Sequence, residues 1–331
     1  MERLYLIREI RKPEKPVLAI DIGGTKISMA ILSREGEALT GLTMPTEAGQ
    51  GPEAVIERLL DGIDHLLSGN GLLPSNLAAV GLAAAGVIDI KNGLVTTSPN
   101  LPGWRDVPLK SLISQRYRLP TFLINDADAA ALGEHRFGAG RGLNTLVLLT
   151  VGTGIGGGII IDGELYFGSR ASAAEIGHMV IDVNGPKCAC GNSGCLEALA
   201  SGTAVAREAR GRLMRGALSS LVEMAGGPLE NITAELVHRA AREGDILANE
   251  VIAQAAFYLG IGVSNVVNIF NPEAVIIGGS LSNMGDLLLQ PVREIVKERA
   301  LPLLARTVRI LPAQLGNDAG LFGAAIYALE H

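Results

Sequence analysis

VLAIDIGGTKISMAILSREGEAL, residues 17–39, and VLLTVGTGIGGGIIIDGEL, residues 147–165, follow one plan. Each opens on a β-rich apolar run, crosses a glycine-rich tight turn and continues into a second apolar run. Each then reaches another turn, Glu35-Gly36 or Asp162-Gly163, followed by Glu. Strand, glycine turn, strand, met twice at a spacing of about 130 residues, points to a duplicated α/β domain. Two such hairpins facing each other across a cleft can offer backbone N–H groups to phosphate oxygens, because glycine permits the close approach. On the repeat alone, the plainer reading of two ordinary tight turns stays open.

The rest of the chain alternates helix and strand. Pro52–Leu67 carries apolar residues at 55, 56, 59, 60, 63, 66 and 67, a helical spacing. Strands are expected at Ala78–Leu82 and Thr121–Ile124, the second running into a helix at Asp126–Phe137. Further helices are expected near 197–215, 233–242 and 245–268, a strand at Ala274–Gly278, and a last helix near 318–330. Alternation of this kind makes an α/β protein. A length of 331 residues suggests about two domains, with a hinge near 120–145.

Gly152-Thr-Gly154-Ile-Gly156-Gly157 matches G-x-G-x-x-G, but that dinucleotide fingerprint requires a helix directly after the glycines. Here a strand and a turn follow, Ile159-Ile-Ile-Asp-Gly163, so the motif is a hairpin. No V-A-I-K, H-R-D or D-F-G accompanies it, which argues against a protein kinase, and no P-loop signature occurs. Asp21 ends the first strand just before its turn, a place suited to holding Mg²⁺ through water. Thr25 and Lys26 can offer a hydroxyl and a charge to phosphate, although a surface lysine is usually only solvated.

At the joint between the apolar strand and its alanine-rich helix stand Asn125 and Asp126. An Asp there can be a simple N-cap. With Asn125 beside it, the pair can also accept from and donate to adjacent hydroxyls of a polyol. One carboxylate can then take the proton of an attacking hydroxyl during phosphoryl transfer.

All three cysteines, Cys188, Cys190 and Cys195, fall within eight residues, and His178 lies ten positions upstream of the first. Three thiolates and an imidazole form the ligand set of a closed structural zinc site. Free cysteines are more often small buried hydrophobes. Core cysteines, however, would not all gather in one loop with Gly185, Pro186, Gly191 and Gly194. Glu175 and Glu197 bracket the cluster, and Glu175 and His178 share one face of a helical turn. Each glutamate alone reads as a solvated charge; flanking a metal loop, they are better placed to read a ligand.

Bulk properties narrow the class. Apolar residues make up 48 % of the chain and the formal charge is −6, without a long basic run, which argues against a nucleic-acid surface. Met1–Pro16 holds only a four-residue apolar run and does not read as a secretory signal. With an odd cysteine count, that points to a reducing, cytoplasmic setting. Gly142–Ile161 and Val251–Pro272 are long uncharged stretches. The first has five glycines within residues 152–158, and the second is interrupted by Gln254, Ser264, Asn265, Asn268 and Asn271. Both read as buried core elements rather than membrane spans.

These motifs together resemble the ROK family (repressors, open reading frames and sugar kinases) of the actin/hexokinase/Hsp70-like superfamily. The resemblance runs from residue 17 to 331. It rests on Asp21-Ile-Gly-Gly-Thr-Lys26, Asn125-Asp126-Ala-Asp-Ala-Ala130, Gly152-Thr-Gly-Ile-Gly-Gly-Gly158 and Glu175-Ile-Gly-His178. Cys188-Ala-Cys-Gly-Asn-Ser-Gly-Cys-Leu-Glu197 and Ile277-Gly-Gly-Ser280 complete it, and the cysteine signature is the most specific. Ser98-Pro-Asn-Leu-Pro-Gly-Trp104 looks like the sugar loop of the glucokinase-like branch.

The resemblance implies an α/β fold of duplicated actin-like ATPase (ribonuclease H-like) domains with an interdomain cleft. The expected division is a smaller lobe, 1–122, and a larger lobe, 123–317, carrying the zinc loop 178–195, with the C-terminal helix 318–331 packed back onto the smaller lobe. It implies ATP-dependent phosphorylation of a hexose at the 6-hydroxyl, most simply glucose to glucose 6-phosphate, with N-acetylhexosamine, mannose or fructose as alternatives. Asp126 would be the base. Asn125, Glu175, His178 and Glu197 would hold ring hydroxyls, with Gly86 and Ser98 lining the sugar from the smaller lobe. Asp21, Gly23, Gly24, Thr25, Lys26, Thr153 and Gly154 would bind nucleotide phosphates, and Gly278 and Gly279 would lie near the adenosine. His178, Cys188, Cys190 and Cys195 would ligate Zn²⁺. ATP and Mg²⁺ would be required, with no nucleic acid or membrane partner, and a homodimer or homotetramer is expected. A sugar-responsive repressor is the alternative from another class; it needs a helix-turn-helix module, for which 16 residues ahead of the first strand are too few. One departure stands out: the family usually has glycine just before the Glu175 position, where this chain has Ser172-Ala173-Ala174.

Overall fold

The computed structural model describes residues 15–169 and 171–331. The expectations for Met1–Pro16 therefore fall, up to residue 14, outside the described residues. The first copy of the repeat supplies β1 (Val17–Ile22), β2 (Lys26–Leu32) and β3 (Ala38–Pro45), followed by helix α1 (Pro52–Gly69) with proline at its first position. Next come β4 (Val80–Ala84), a small meander of β5 (Val87–Asp89), β6 (Leu94–Thr97) and β7 (Arg105–Val107), and helix α2 (Leu109–Tyr117). Strand β8 (Thr121–Asn125) then leads directly into α3 (Asp126–Phe137).

The second copy supplies β9 (Leu146–Val151), β10 (Ile155–Ile161) and β11 (Glu164–Leu165). Five helices follow: α4 (Leu196–Ala200), α5 (Gly202–Met214), α6 (Leu221–Met224), α7 (Ala234–Arg242) and α8 (Ile246–Phe270). The chain ends with β12 (Ala274–Gly278), α9 (Asp286–Arg299), α10 (Pro302–Thr307), β13 (Arg309–Pro312) and α11 (Ala319–Glu330).

Two five-stranded sheets result, in the orders β3-β2-β1-β4-β8 and β11-β10-β9-β12-β13. In the first, β1 is antiparallel to β2 and parallel to β4; in the second, β9 is antiparallel to β10 and parallel to β12. The repeat read in the sequence is thus a repeat of sheet topology. One core lies between the first sheet and helices α1 and α2, through residues such as Ile20, Leu59 and Ile113. Another lies between the second sheet and helices α5, α7, α8 and α9, through Leu149, Val237, Leu259 and Leu288.

A third core joins the two sheets. It runs from Val17 and Ala19 of β1, through the alanines of α3 and α11, to Leu148 of β9 and Ile276 of β12. The two helices touch backbone to backbone: a Cβ at Gly323 would lie 1.6 Å from the Ala129 carbonyl oxygen. Only small residues allow that crossing. Because β8 pairs with β4, the strand Thr121–Asn125 belongs to the first sheet, and a division between 122 and 123 passes through it. Helix α11 packs on α3 and on β1 and β4.

One local expectation needs correction, and several elements carry no expectation at all. The helix expected over 197–215 is broken at Ser201, whose side chain caps α5 by accepting the Ala204 N–H at 3.2 Å. The Gly202 N–H at the same break binds the Gly152 carbonyl at 2.7 Å, so the second glycine hairpin docks there. Helix α9 carries Pro291 in its interior, a residue that argues against helix when read alone. Strand β3, which alternates only between exposed and half-buried residues, and the short strands of the β5–β7 meander went unread. The two uncharged stretches are core elements as expected. Among the described residues α8 is the one helix long and apolar enough to cross a membrane, and its buried residues from Leu247 to Val267 pack in the second core.

Candidate active site at the cleft

The first hairpin is closed by the Gly23 N–H to the Lys26 carbonyl at 3.0 Å. Thr46, fully buried, pins it from the end of β3: its hydroxyl donates to the Gly23 carbonyl at 2.7 Å and its N–H to the Thr25 carbonyl at 2.9 Å. Thr46 went unremarked in the sequence, where a lone threonine after a proline carries no signal. Asp21 stands half-buried against the start of α11, where a Cβ at Gly320 would lie 2.7 Å from its Oδ2. Burial first, and then the nearby Asp126, push its carboxyl up to about 7; Lys26 pulls the other way and Asp318 adds to the rise.

The second hairpin is held through its carbonyls. Thr203 donates its hydroxyl to the Thr153 carbonyl at 2.8 Å, while Gly152 N–H closes the turn onto the Gly154 carbonyl at 2.9 Å. Gly278 pairs with Thr150 at the end of the parallel β9–β12 ladder, and Gly279 follows in a left-handed conformation against Val151. Beside these tips opens a cavity of about 680 Å³, lined among others by Thr153, Thr203, Arg210, Glu235, His238 and Asn283. Ser280 lines it, rather than Gly278 or Gly279. These wall residues come from separate helices and the loop before α9, so no local motif marks them. A second cavity of about 660 Å³ lies beyond it and shares Thr233, Glu235 and His238.

Between the hairpins lies the start of α3. The capping role falls to Asn125: its Oδ1 accepts the N–H groups of Ala127 at 2.8 Å and Asp128 at 3.2 Å. Its Nδ2 donates to the Gly86 carbonyl at 2.9 Å. Gly86, at φ 120°, sits where a Cβ would meet the Thr97 carbonyl oxygen at 2.3 Å and Ser98 at 2.9 Å. Asp126, the first helical residue, is half-buried, and its Oδ1 accepts the Ala127 N–H at 3.0 Å. Burial raises its carboxyl above the ordinary range against the lowering effect of hydrogen bonds from Ala127, its own backbone and Asn125, while Glu175 adds to the rise. The loop bearing Ser98 rests on the first hairpin, since a Cβ at Gly24 would lie 2.6 Å from the Asn100 carbonyl oxygen.

The fourth wall is the cysteine loop. One ligand atom from each of His178, Cys188, Cys190 and Cys195 lies within 4.8 Å of all the others. Cys188 Sγ is 3.7 Å from His178 Nδ1, and Cys190 Sγ is 3.7 Å from Cys195 Sγ. A tetrahedron with Zn–S of about 2.3 Å and Zn–N of about 2.0 Å has edges of roughly 3.5–3.8 Å, so the set fits that ion. Burial, and then the neighbouring thiols, push the Cys195 thiol up to about 12, a penalty that a cation would remove.

His178 points Nδ1 at this cluster and Nε2 toward Glu175, whose Oε2 is 3.9 Å away. Glu197 has Oε1 3.8 Å from Cys188 Sγ, and its Oε2 accepts the Ile155 N–H at 2.9 Å. One carboxylate therefore ties the cysteine loop to the second hairpin. Ala174, in the position where glycine was expected, takes the left-handed backbone all the same, with φ 61°. Asn125, Asp126, Glu175, His178 and Glu197, distant in sequence, thus converge with Gly86 and Ser98 at one end of the cleft. The phosphate-binding candidates gather around the rest.

The chain is similar to known proteins along most of its length. Over 313 residues the chain is 40 % identical to a glucokinase of Thermotoga maritima, covering 95 % of this chain and 97 % of the relative. It is also 33 % identical to the xylose repressor of Bacillus spizizenii, covering 95 % of this chain and 77 % of the repressor. The fold superposes with a TM-score of 0.84 on a ROK family glucokinase from Streptomyces griseus in complex with glucose and AMPPNP, at 36 % identity, covering 96 % of this chain and 100 % of that one. The paired hairpins, the capped Asp126 and the cysteine loop lie within residues 17–331, the stretch that matches the ROK family, and the chain belongs to that family.

Proposed function

We propose that the chain is an ATP-dependent hexokinase that converts glucose to glucose 6-phosphate. The observation that carries this reading is the placement of Asp126. It is a half-buried carboxylate with a raised pKa, freed from capping by Asn125, between a pair of glycine hairpins and a cysteine loop flanked by two glutamates. The similarity to glucokinases over nearly the whole chain supports it.

In this reading Asp126 accepts the proton of the sugar 6-hydroxyl as the oxygen attacks the γ-phosphorus of ATP. Phosphoryl transfer demands positioning and charge neutralisation more than covalent chemistry. Gly24, Thr25, Thr153 and Gly154 offer backbone N–H groups to the phosphates, Gly23 closes the turn that presents them, and Lys26 offers a charge. The adenosine lies past Gly278 and Gly279, in the 680 Å³ cavity that Ser280 borders and that reaches Arg210 and His238. Asn125, Glu175, His178 and Glu197 hold ring hydroxyls, with Gly86 and Ser98 beneath. Asp21 would hold Mg²⁺, which neutralises phosphate charge when bound; the mutual repulsion of Asp21 and Asp126 supports a cation there. His178, Cys188, Cys190 and Cys195 would hold Zn²⁺, which locks the loop when bound. His178 Nδ1 serves the ligand set and leaves Nε2 for the sugar side. A cytoplasmic homodimer or homotetramer remains the proposed setting.

The test is release of ADP, coupled to a visible signal, across glucose, mannose, fructose and N-acetylhexosamines. Highest kcat/KM with glucose is expected. Preference for another hexose would move the substrate assignment, and no sugar-dependent ADP release would overturn the kinase reading.

A further inference from the structure

Asp128 is a carboxylate in the wall of the cleft that the reaction as described leaves without a task. It is 7 % exposed. Its backbone N–H is bound by Asn125 Oδ1, but among the described residues no hydrogen bond reaches its carboxylate. A buried polar group in that position needs a partner. It lines a cavity of about 50 Å³, enclosed also by Gly86, Asn125, Gly157 and the segment Ala171–Glu175. One water occupies about 30 Å³, so this space suits one or two waters and is too small for a hexose.

The segment above the cavity is locally strained. Ala171 and Ala174 both have left-handed backbones, at φ 53° and 61°, and such conformations persist only where the surroundings hold them. Glu175 follows directly. Among the described residues, the titratable groups facing Asp128 are acidic: Asp126 of its own helix, Glu175 from the segment, and the Tyr327 hydroxyl of α11. Burial first, then Asp126 and Glu175, raise its carboxyl to about 7, so a proton-bearing form able to donate is populated near neutrality.

We propose that Asp128 is a positioning residue: with water held in this cavity, its carboxyl anchors the backbone of residues 171–174 and so fixes where Glu175 meets the hexose. The proposal rests on the kinase reading above. A carboxamide can make the same water contacts from the same place, whereas an apolar side chain of similar width cannot.

The experiment is steady-state kinetics of the full chain with glucose and ATP, on Asp128→Val, Asp128→Asn, Glu175→Gln and the double variant Asp128→Val/Glu175→Gln. Asp128→Val is expected to raise the glucose KM about tenfold while leaving kcat and the ATP KM within about threefold, a loss of sugar positioning alone. Asp128→Asn should stay within about threefold of wild type in all three. If Asp128 acts through Glu175, the double variant should be no worse than Glu175→Gln alone. An unchanged glucose KM in Asp128→Val, an Asn variant as impaired as Val, or multiplying effects in the double variant would each overturn the proposal. Should Asp128→Val fail to melt cooperatively, Asp128→Ala takes its place in the same comparisons. A wild-type chain that releases no ADP with any sugar would remove the kinase reading and this proposal together, whereas an active wild type with an indifferent Asp128→Val removes the proposal alone.

Discussion

Asn125 and Asp126 divide labour that either could have taken. Because the amide caps α3 and reaches Gly86, the cap does not rest on the neighbouring carboxylate, whose basicity comes first from its burial. Replacing Asp126 with Asn should lower kcat by about 10²–10⁴-fold, the usual worth of a general base, while leaving sugar affinity nearly intact. Near-normal turnover in that variant would exclude Asp126 as base. The pH profile follows from its raised pKa. A base must be ionised, so kcat/KM should rise with pH through a value above the ordinary carboxylate range and fall on the acid side. An acid limb lying at the ordinary carboxylate value would contradict the placement. Ala174 offers a second test, on stability. Replacement by Gly relieves about 1–2 kcal/mol of left-handed strain. Against this stands about 0.4–1 kcal/mol of added unfolded-state entropy. The net gain of roughly 0.5–1 kcal/mol should appear as a Tm higher by about 1–2 °C.

At the scale of elements, the cysteine loop is the part on which the proposed sugar contacts depend. Cys188, Cys190 and Cys195 surround a point that, among the described residues, His178 completes, and Glu197 carries the constraint onward to the Ile155 N–H of the second hairpin. Replacing Cys190 with Ser should reduce zinc from one per chain toward none and raise the glucose KM roughly tenfold or more, since it loosens the loop that orients Glu175 and His178. Metal analysis and titration with sugar check both; unchanged zinc and unchanged affinity would refute the metal site. This loop was readable from spacing because all its ligands are local. The hairpins were readable because glycine marks them. Thr46, Thr203 and the helical wall of the nucleotide-side cavity were not, since each acts through a tertiary contact with a backbone carbonyl or through helices far apart in the chain. The break at Ser201 was hidden for a related reason: the residues on both sides favour helix, and only the docking of Gly152 onto Gly202 separates them.

For the whole molecule, the duplication was legible in the strand–glycine–strand repeat, but its joining was not. Helices α3 and α11 lie between the two sheets and cross backbone to backbone at Ala129 and Gly323, a relation between residues nearly two hundred apart that no local pattern carries. Closing the cleft on sugar would exclude water from the transferring phosphate. In the proposed function the sugar's reacting hydroxyl meets Asp126, between the glutamates of the cysteine loop and the glycine hairpins. A crystal structure with glucose and a non-hydrolysable ATP analogue tests this most directly. The glucose 6-oxygen should lie within hydrogen-bonding distance of the Asp126 carboxylate, with ring hydroxyls on Glu175 and His178. A glucose bound away from Asp126, with the hairpins empty of phosphate, would contradict it.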